Sequence, residues 1–274
     1  MKAGTVFDLV RSAFPAGTPY EEMFAFTHEI GFDGVELQHG EAPRDFTEQT
    51  PDDVLLMIRA AAESTGVEIT SVMPTGQEIA SPDKEKQKQA VRVLAKVAEQ
   101  AALLGAGTVL IVPGRVKEDA PYDVVYKMAK EGMKRLADKT AAIPVVLAIE
   151  NIWNKFLYSP LEFAAFVDGI DAPNVRAYFD VGNIMINGFP EQWIRILGSR
   201  IDRVHVKDYR RDAPGAFGFC NLLEGDVPWA EVKKALADVG YDGYLTAEVG
   251  GYRTGRKLGA EATAKALRAI IEGV

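Results

Sequence analysis

The strongest constraint in this chain is a repeated alternation. Prolines mark helix starts, and short, almost continuously apolar runs fall between them. Seven of the fourteen prolines, Pro19, Pro51, Pro82, Pro121, Pro160, Pro190 and Pro228, stand where a helical periodicity begins. Proline suits the first helical position, because the N–H it lacks would be unpaired there and its φ is already helical. Thr18-Pro19-Tyr20-Glu21 and Ser159-Pro160-Leu161-Glu162 carry the capping-box pattern, and Thr50-Pro51-Asp52-Asp53 a shorter-armed version. Val54, Leu55, Ile58 and Ala62 show the helical spacing behind Pro51.

The runs between the helices predict strands over residues 5–9, 34–37, 68–73, 108–112, 145–150, 175–180, 203–206 and 244–249, with a last helix over 260–271. Most are apolar throughout, as expected of parallel strands covered on both faces. Gly31-Phe32-Asp33-Gly34 and Gly240-Tyr241-Asp242-Gly243 place the same turn before two different strands. Eight strands alternating with eight helices imply an α/β fold with a parallel sheet. Neither a composition break nor a linker divides the 274 residues, and the first strand is not followed by the GxGxxG of a Rossmann sheet. The expectation is a single (β/α)8 barrel of the TIM type over residues 1–274, with a long segment after the seventh strand at about 208–226.

A formal net charge of −8 gives no basic face for nucleic acid. The one cysteine, Cys220, excludes an intrachain disulfide and points to a reducing, cytoplasmic setting. The apolar run 141–149 is too short to span a membrane, and no signal-like core opens the chain. A soluble enzyme or ligand binder remains.

Barrel active sites lie at the carboxyl ends of the strands. The fifth strand ends in Glu150, the sixth in Asp180 and the eighth in Glu248, while the seventh carries His205. A buried apolar strand ending in a carboxylate is costly unless that charge is paired or bound to a cation. Four consecutive strands share one rim, so the four groups can converge on one divalent ion. Two Glu, one Asp and one His suit Mn²⁺ first, with Mg²⁺, Co²⁺ or Zn²⁺ as alternatives.

The runs AIENIWNKF (148–156), YFDVGN (178–183), RVHVKDYRR (203–211), LLEGDVPW (222–229) and GYDGYLTAE (240–248) resemble the xylose-isomerase-like barrel superfamily. The likeness is to its sugar (phosphate) isomerase/epimerase branch, and to ketose 3-epimerases and L-xylulose-5-phosphate 3-epimerases within it. The resemblance implies that Glu150, Asp180, His205 and Glu248 bind one divalent metal. It also implies that Glu150 and Glu248 are the catalytic acid/base pair on opposite substrate faces, and that Arg211 is the family's substrate arginine. It implies a homodimer or homotetramer. Two positions depart from the tagatose-type pattern: Asn183 stands in place of a histidine and Phe156 in place of a glutamate, so the sugar is expected to differ.

Abstraction of the proton beside a ketone, followed by its return from the other face, inverts that carbon. Return to the neighbouring carbon gives aldose–ketose isomerisation, and loss of a hydroxyl gives a cyclitol dehydratase. The expected function is ketose, ketose-phosphate or keto-sugar epimerisation, with those two as alternatives. The three histidines are too few for the trinuclear site of a DNA-repair endonuclease of this superfamily. Expected substrate contacts are Glu36, Trp153, Asn154, Lys155, Asn183, Lys207 and Arg211, with Asn151, Asp208 and Arg210 nearby. His39 reads as a surface loop residue, and His28 as remote inside the first helix. Arg210, Arg211 and the turn 250–253 are where a phosphate would be sought. The length of 208–226 suggests partial cover over the site together with a subunit contact.

Overall fold

Each apolar run, buried on both faces, becomes a parallel strand, and each proline-led segment becomes the helix that returns the chain. The computed structural model of the chain describes every residue except Ala42, Pro214 and Val274. The order is β1 (Lys2–Val6), α1 (Tyr20–Glu29), β2 (Gly34–His39), α2 (Asp52–Thr65), β3 (Glu68–Pro74), α3 (Lys84–Leu104), β4 (Thr108–Ile111) and α4 (Tyr122–Lys139). It continues with β5 (Val146–Glu150), α5 (Pro160–Asp168), β6 (Val175–Asp180), α6 (Pro190–Leu197), β7 (Ile201–Val206), α7 (Trp229–Asp238), β8 (Tyr244–Ala247) and α8 (Arg256–Glu272). The eight strands close in sequence order into a parallel barrel, with β1 paired to both β2 and β8. All strand carboxyl ends therefore lie on one face. Among the described residues no helix is long and apolar enough to cross a membrane.

The main core lies between sheet and helices, where Phe7, Phe24, Ile58, Leu94, Phe163 and Phe166 are buried. Inside the barrel a small apolar cluster of Leu110, Ala148 and Tyr178 fills part of the lumen. The rest of that layer is polar and fully buried, with Thr5, Glu36, Ser71, His205 and Thr246. A polar lumen is costly unless its members satisfy one another.

Pro160 and Pro190 occupy the first helical position, and Pro19, Pro51, Pro121 and Pro228 stand one residue earlier. Pro82 precedes Asp83, whose carboxylate caps α3 by accepting from the Glu85 and Lys86 N–H groups. Ser159 caps α5 as expected, accepting from Glu162 N. Thr18 and Thr50 do not cap: Thr18 Oγ1 donates to Pro15 O, and Thr50 Oγ1 accepts from Thr47 N.

The first strand differs most from expectation. It runs Lys2–Val6 rather than over 5–9, and Asp8–Arg11 is a helical turn. Gly4, a weak strand former, masked the true start. Glycine suits that position, because a Cβ would lie tightly against its neighbours, 3.1 Å from Thr246 Oγ1 and 3.2 Å from the Tyr244 ring. The last strand ends at Ala247, one residue before Glu248, whose N–H still bonds Val206 O at 3.0 Å.

The segment after β7 is more ordered than its length suggests. Asp208–Tyr209 pairs antiparallel with Phe219–Cys220. At the base of this hairpin the fully buried Asp208 accepts four hydrogen bonds: from Tyr209 N (2.9 Å), Val227 N (3.1 Å), Leu223 N (2.9 Å) and Trp229 Nε1 (3.1 Å). Asp208, taken from the sequence as a neighbour of the substrate, is the anchor of this segment. A buried carboxylate whose removal leaves several N–H groups unpaired is expensive to lose. Asp208→Ala is expected to lower the unfolding free energy by about 3 kcal/mol. Urea titration measures it, and a loss below about 1 kcal/mol would contradict the anchoring role.

Candidate metal and active site

Glu150 ends β5, Asp180 ends β6, His205 lies in β7 and Glu248 follows β8. Barrel register brings them level, since His205 pairs with Asp180 on one side and with Thr246 on the other. One ligand atom from each of the four lies within 4.8 Å of the others. His205 Nδ1 stands 2.9 Å from Glu150 Oε1, 3.8 Å from Glu248 Oε2 and 3.9 Å from Asp180 Oδ2.

The other ring nitrogen is held from below. His205 Nε2 lies 3.0 Å from Glu36 Oε1, while Glu36 Oε2 accepts from Tyr178 OH (2.8 Å) and Ser71 Oγ (2.7 Å). All four side chains are buried inside the barrel. Glu36 was expected to bind a sugar hydroxyl. Instead it sits mid-strand beneath the rim, and its hydrogen bonds orient the imidazole. A carboxylate accepting from one imidazole nitrogen leaves the other aimed at a metal.

Burial pushes the Glu150 carboxyl up to about 7, against the pull of its hydrogen-bonded His205. Burial also raises Asp180, although Lys207 opposes it. For Glu248 burial acts upward too, but the charges of Lys207 and His205 prevail and its pKa falls below the usual range. Burial opposes charge on His205, yet Glu36, Glu248 and Glu150 hold it well above the ordinary imidazole value.

Lys207 belongs to this cluster rather than to a substrate-reaching rim. Its ammonium hydrogen-bonds Glu248 and lies 2.8 Å from Asp180 Oδ2. That Asp180 oxygen is buried and receives no hydrogen bond of good geometry. One lysine charge does not balance the buried carboxylates of Glu150 and Asp180 together with the half-buried Glu248. The shortfall, the under-satisfied Asp180 oxygen and the oxygen-rich donor set with one imidazole all fit a divalent cation held by Glu150, Asp180, His205 and Glu248.

Three expected substrate contacts are committed elsewhere. Asn183 N–H donates to Asp180 Oδ1 (2.7 Å) and its amide donates to Asn151 O (2.9 Å). Asn151 in turn bonds both backbone groups of Asp180, so this pair fixes the Asp180 carboxylate. Trp153 Nε1 donates to Asn183 O, and its ring packs on Phe219 and Tyr209 as part of the rim. Asn154 donates to Gly114 O and accepts from Phe156 N, holding its own loop. Lys155 is exposed at φ 60°, and exposed Arg211 lies 5.6 Å from the Phe189 ring. Among the described residues no ion pair joins Lys155 or Arg211 to the cluster. His39, expected in a surface loop, is buried at the end of β2 against Phe46, and burial lowers its pKa. His28 is exposed on α1.

Sequence reasoning missed the other wall of the site. Glu150 also borders a cavity of about 620 Å³ formed by the ends of β3 and β4 and the loops that follow them. Those strands end in Pro74 and Ile111, so no terminal charge drew attention to them.

Residues 24–270 match the family model described as xylose isomerase-like TIM barrel. The chain belongs to that family. L-ribulose-5-phosphate 3-epimerase of Salmonella heidelberg is 26% identical over 249 residues, covering 86% of this chain and 84% of the relative. D-psicose 3-epimerase of Enterocloster bolteae is 26% identical over 243 residues, covering 84% of this chain and 76% of the relative. Among solved structures, D-psicose 3-epimerase of Clostridium cellulolyticum with D-tagatose superposes with a TM-score of 0.79 at 19% identity, covering 99% of each chain. The sequence-based expectation of an isomerase agrees with these relatives, whose names are those of epimerases.

Metal ligands must be deprotonated to bind. Because Glu150 is raised to about 7, Mn²⁺ affinity is expected to fall as pH drops through that value. Isothermal titration measures it, and a flat pH profile would contradict the assignment. Glu36→Gln keeps the shape but removes the charge facing His205, and is expected to weaken Mn²⁺ binding roughly 10- to 100-fold. An unchanged Mn²⁺ electron paramagnetic resonance titration would show that Glu36 does not support the site.

Proposed function

We propose that the chain is a divalent-metal-dependent ketose epimerase. The observation that carries this reading is the convergence of Glu150 and Glu248, from strands on either side of β6 and β7, on one ligand cluster. Epimerisation needs one carboxylate to take the proton beside the carbonyl and one carboxyl group to return a proton from the other face. Glu150 and Glu248 approach His205 Nδ1 from separate strands, at 2.9 and 3.8 Å. Their surroundings push their pKa values in opposite directions, as an acid/base pair requires. Lys207 keeps Glu248 charged, and Asn151 and Asn183 hold Asp180 in place. A divalent cation bound by the four side chains supplies Lewis-acid stabilisation of the developing negative charge. Manganese suits this oxygen-rich set with one imidazole.

The proposal includes a cytoplasmic homodimer or homotetramer. Association is supported by exposed apolar side chains, Ile186, Phe189, Phe217 and Leu223, on segments following β6 and β7.

Purified protein with Mn²⁺ is expected to exchange solvent deuterium into a ketose at the carbon beside the carbonyl, read by NMR in D₂O. Glu150→Gln and Glu248→Gln should each lower exchange by about 10³-fold or more while remaining folded. Turnover undiminished in either variant would remove that residue from the acid/base pair. An unsaturated product would make the enzyme a dehydratase instead.

A further inference from the structure

Of the four side chains in the ligand cluster, Glu150 is the one that also lines the cavity of about 620 Å³. A substrate reacting against Glu150 therefore has space to extend toward β3 and β4. On the β7 side Trp153, Phe219 and Tyr209 pack against one another, with the Lys207 ammonium 5.1 Å from the Phe219 ring.

The cavity has room for more than a free sugar. A hexulose occupies on the order of 200 Å³ at the packing density of a protein interior. Cavities of several hundred Å³ suit ligands of drug size, which bury most of their surface. The walls state what kind of group would fill the remainder. Met73, Leu110, Val112 and Ile152 give an apolar face next to Glu150. The outer wall carries Lys86, Arg115 and Lys117, but also Glu78, Asp83 and Asp119. Three cations against three carboxylates leave no net positive charge. A phosphate site gathers arginine and lysine in excess, because charge-assisted bonds to a dianion are its source of affinity. An amphipathic group without net charge fits this wall better. The exposed turn at 250–253 and Arg211, where the sequence suggested a phosphate, lie outside the cavity walls.

We infer that the substrate is an unphosphorylated ketose bearing an uncharged substituent about the size of a second sugar ring, seated between the loops that follow β3 and β4. This rests on the epimerase reading. A glycosyl group matches both walls, with C–H faces for Met73, Leu110 and Ile152 and hydroxyls for the charged rim.

The test is deuterium exchange by the Mn²⁺-loaded enzyme with fructose, fructose 6-phosphate, isomaltulose and lactulose. At least one of the two glycosyl ketoses is expected to show kcat/KM tenfold or more above both fructose and its phosphate. Equal values for free fructose, or a preference for the phosphate, overturn the inference while leaving the epimerase reading intact. Exchange with none of the four, by enzyme shown to bind Mn²⁺, overturns both. Ala120→Trp, which fills part of the cavity, is expected to cut the ratio of glycosyl-ketose to fructose kcat/KM at least tenfold. An unchanged ratio in a variant that melts like the parent also overturns it.

Discussion

A buried imidazole gripped from both sides organises this barrel. His205 has a carboxylate on each ring nitrogen, Glu36 below and Glu150 above. Those two contacts tie β7 to β2 across the lumen and to β5 along the rim. Much of the polar network around them answers to these contacts: Ser71 and Tyr178 satisfy Glu36, Lys207 offsets Asp180 and Glu248, and Asn151 and Asn183 orient Asp180. An apolar lumen would hold the barrel together without this requirement. Isolated buried charges cost several kcal/mol each, so the network is stable only as a whole.

Much of this was legible in the sequence because it is written at strand termini. Glu150 and Asp180 each close a largely buried strand, and although one such carboxylate could serve only as a helix cap, as Asp180 also does, His205 and Glu248 stand at matching places on the neighbouring strands. The proline-led helices were equally visible, since proline restricts φ by covalent geometry whatever its surroundings. The parts that stayed hidden depend on which way a side chain points within a closed barrel. Glu36 ended the apolar run in the same manner as the ligands. Only the register of β2, which continues to His39, shows that it lies a layer lower. Asn154 and Trp153 lie on the loop after β5 and Asn183 in the helical turn Val181–Ile184 after β6, but their hydrogen bonds run to the protein itself. Asp208 gave no hint of its four donors, because those come from residues up to 21 positions away.

The β1 misreading has a similar origin. Its strand contains Gly4, whose presence follows from the approach of Tyr244 and Thr246, residues at the far end of the chain. Local propensity cannot register a neighbour that is distant in sequence. The cavity beyond Glu150 was concealed for the complementary reason: its floor is made of ordinary apolar residues, distinguished only by the space in front of them.

The hairpin behind His205 has a consequence for how this scaffold can diversify. Its base is secured by one carboxylate bonded almost entirely to main-chain N–H groups, so the hold does not depend on which side chains occupy the tip. Exposed side chains toward that tip, such as Asp212, Ala216 and Phe217, can change across a lineage without loosening the anchor behind His205. Two glycines are not free to change: a Cβ on Gly218 would collide with the Tyr209 ring, and one on Gly225 with Asp208 Oδ1.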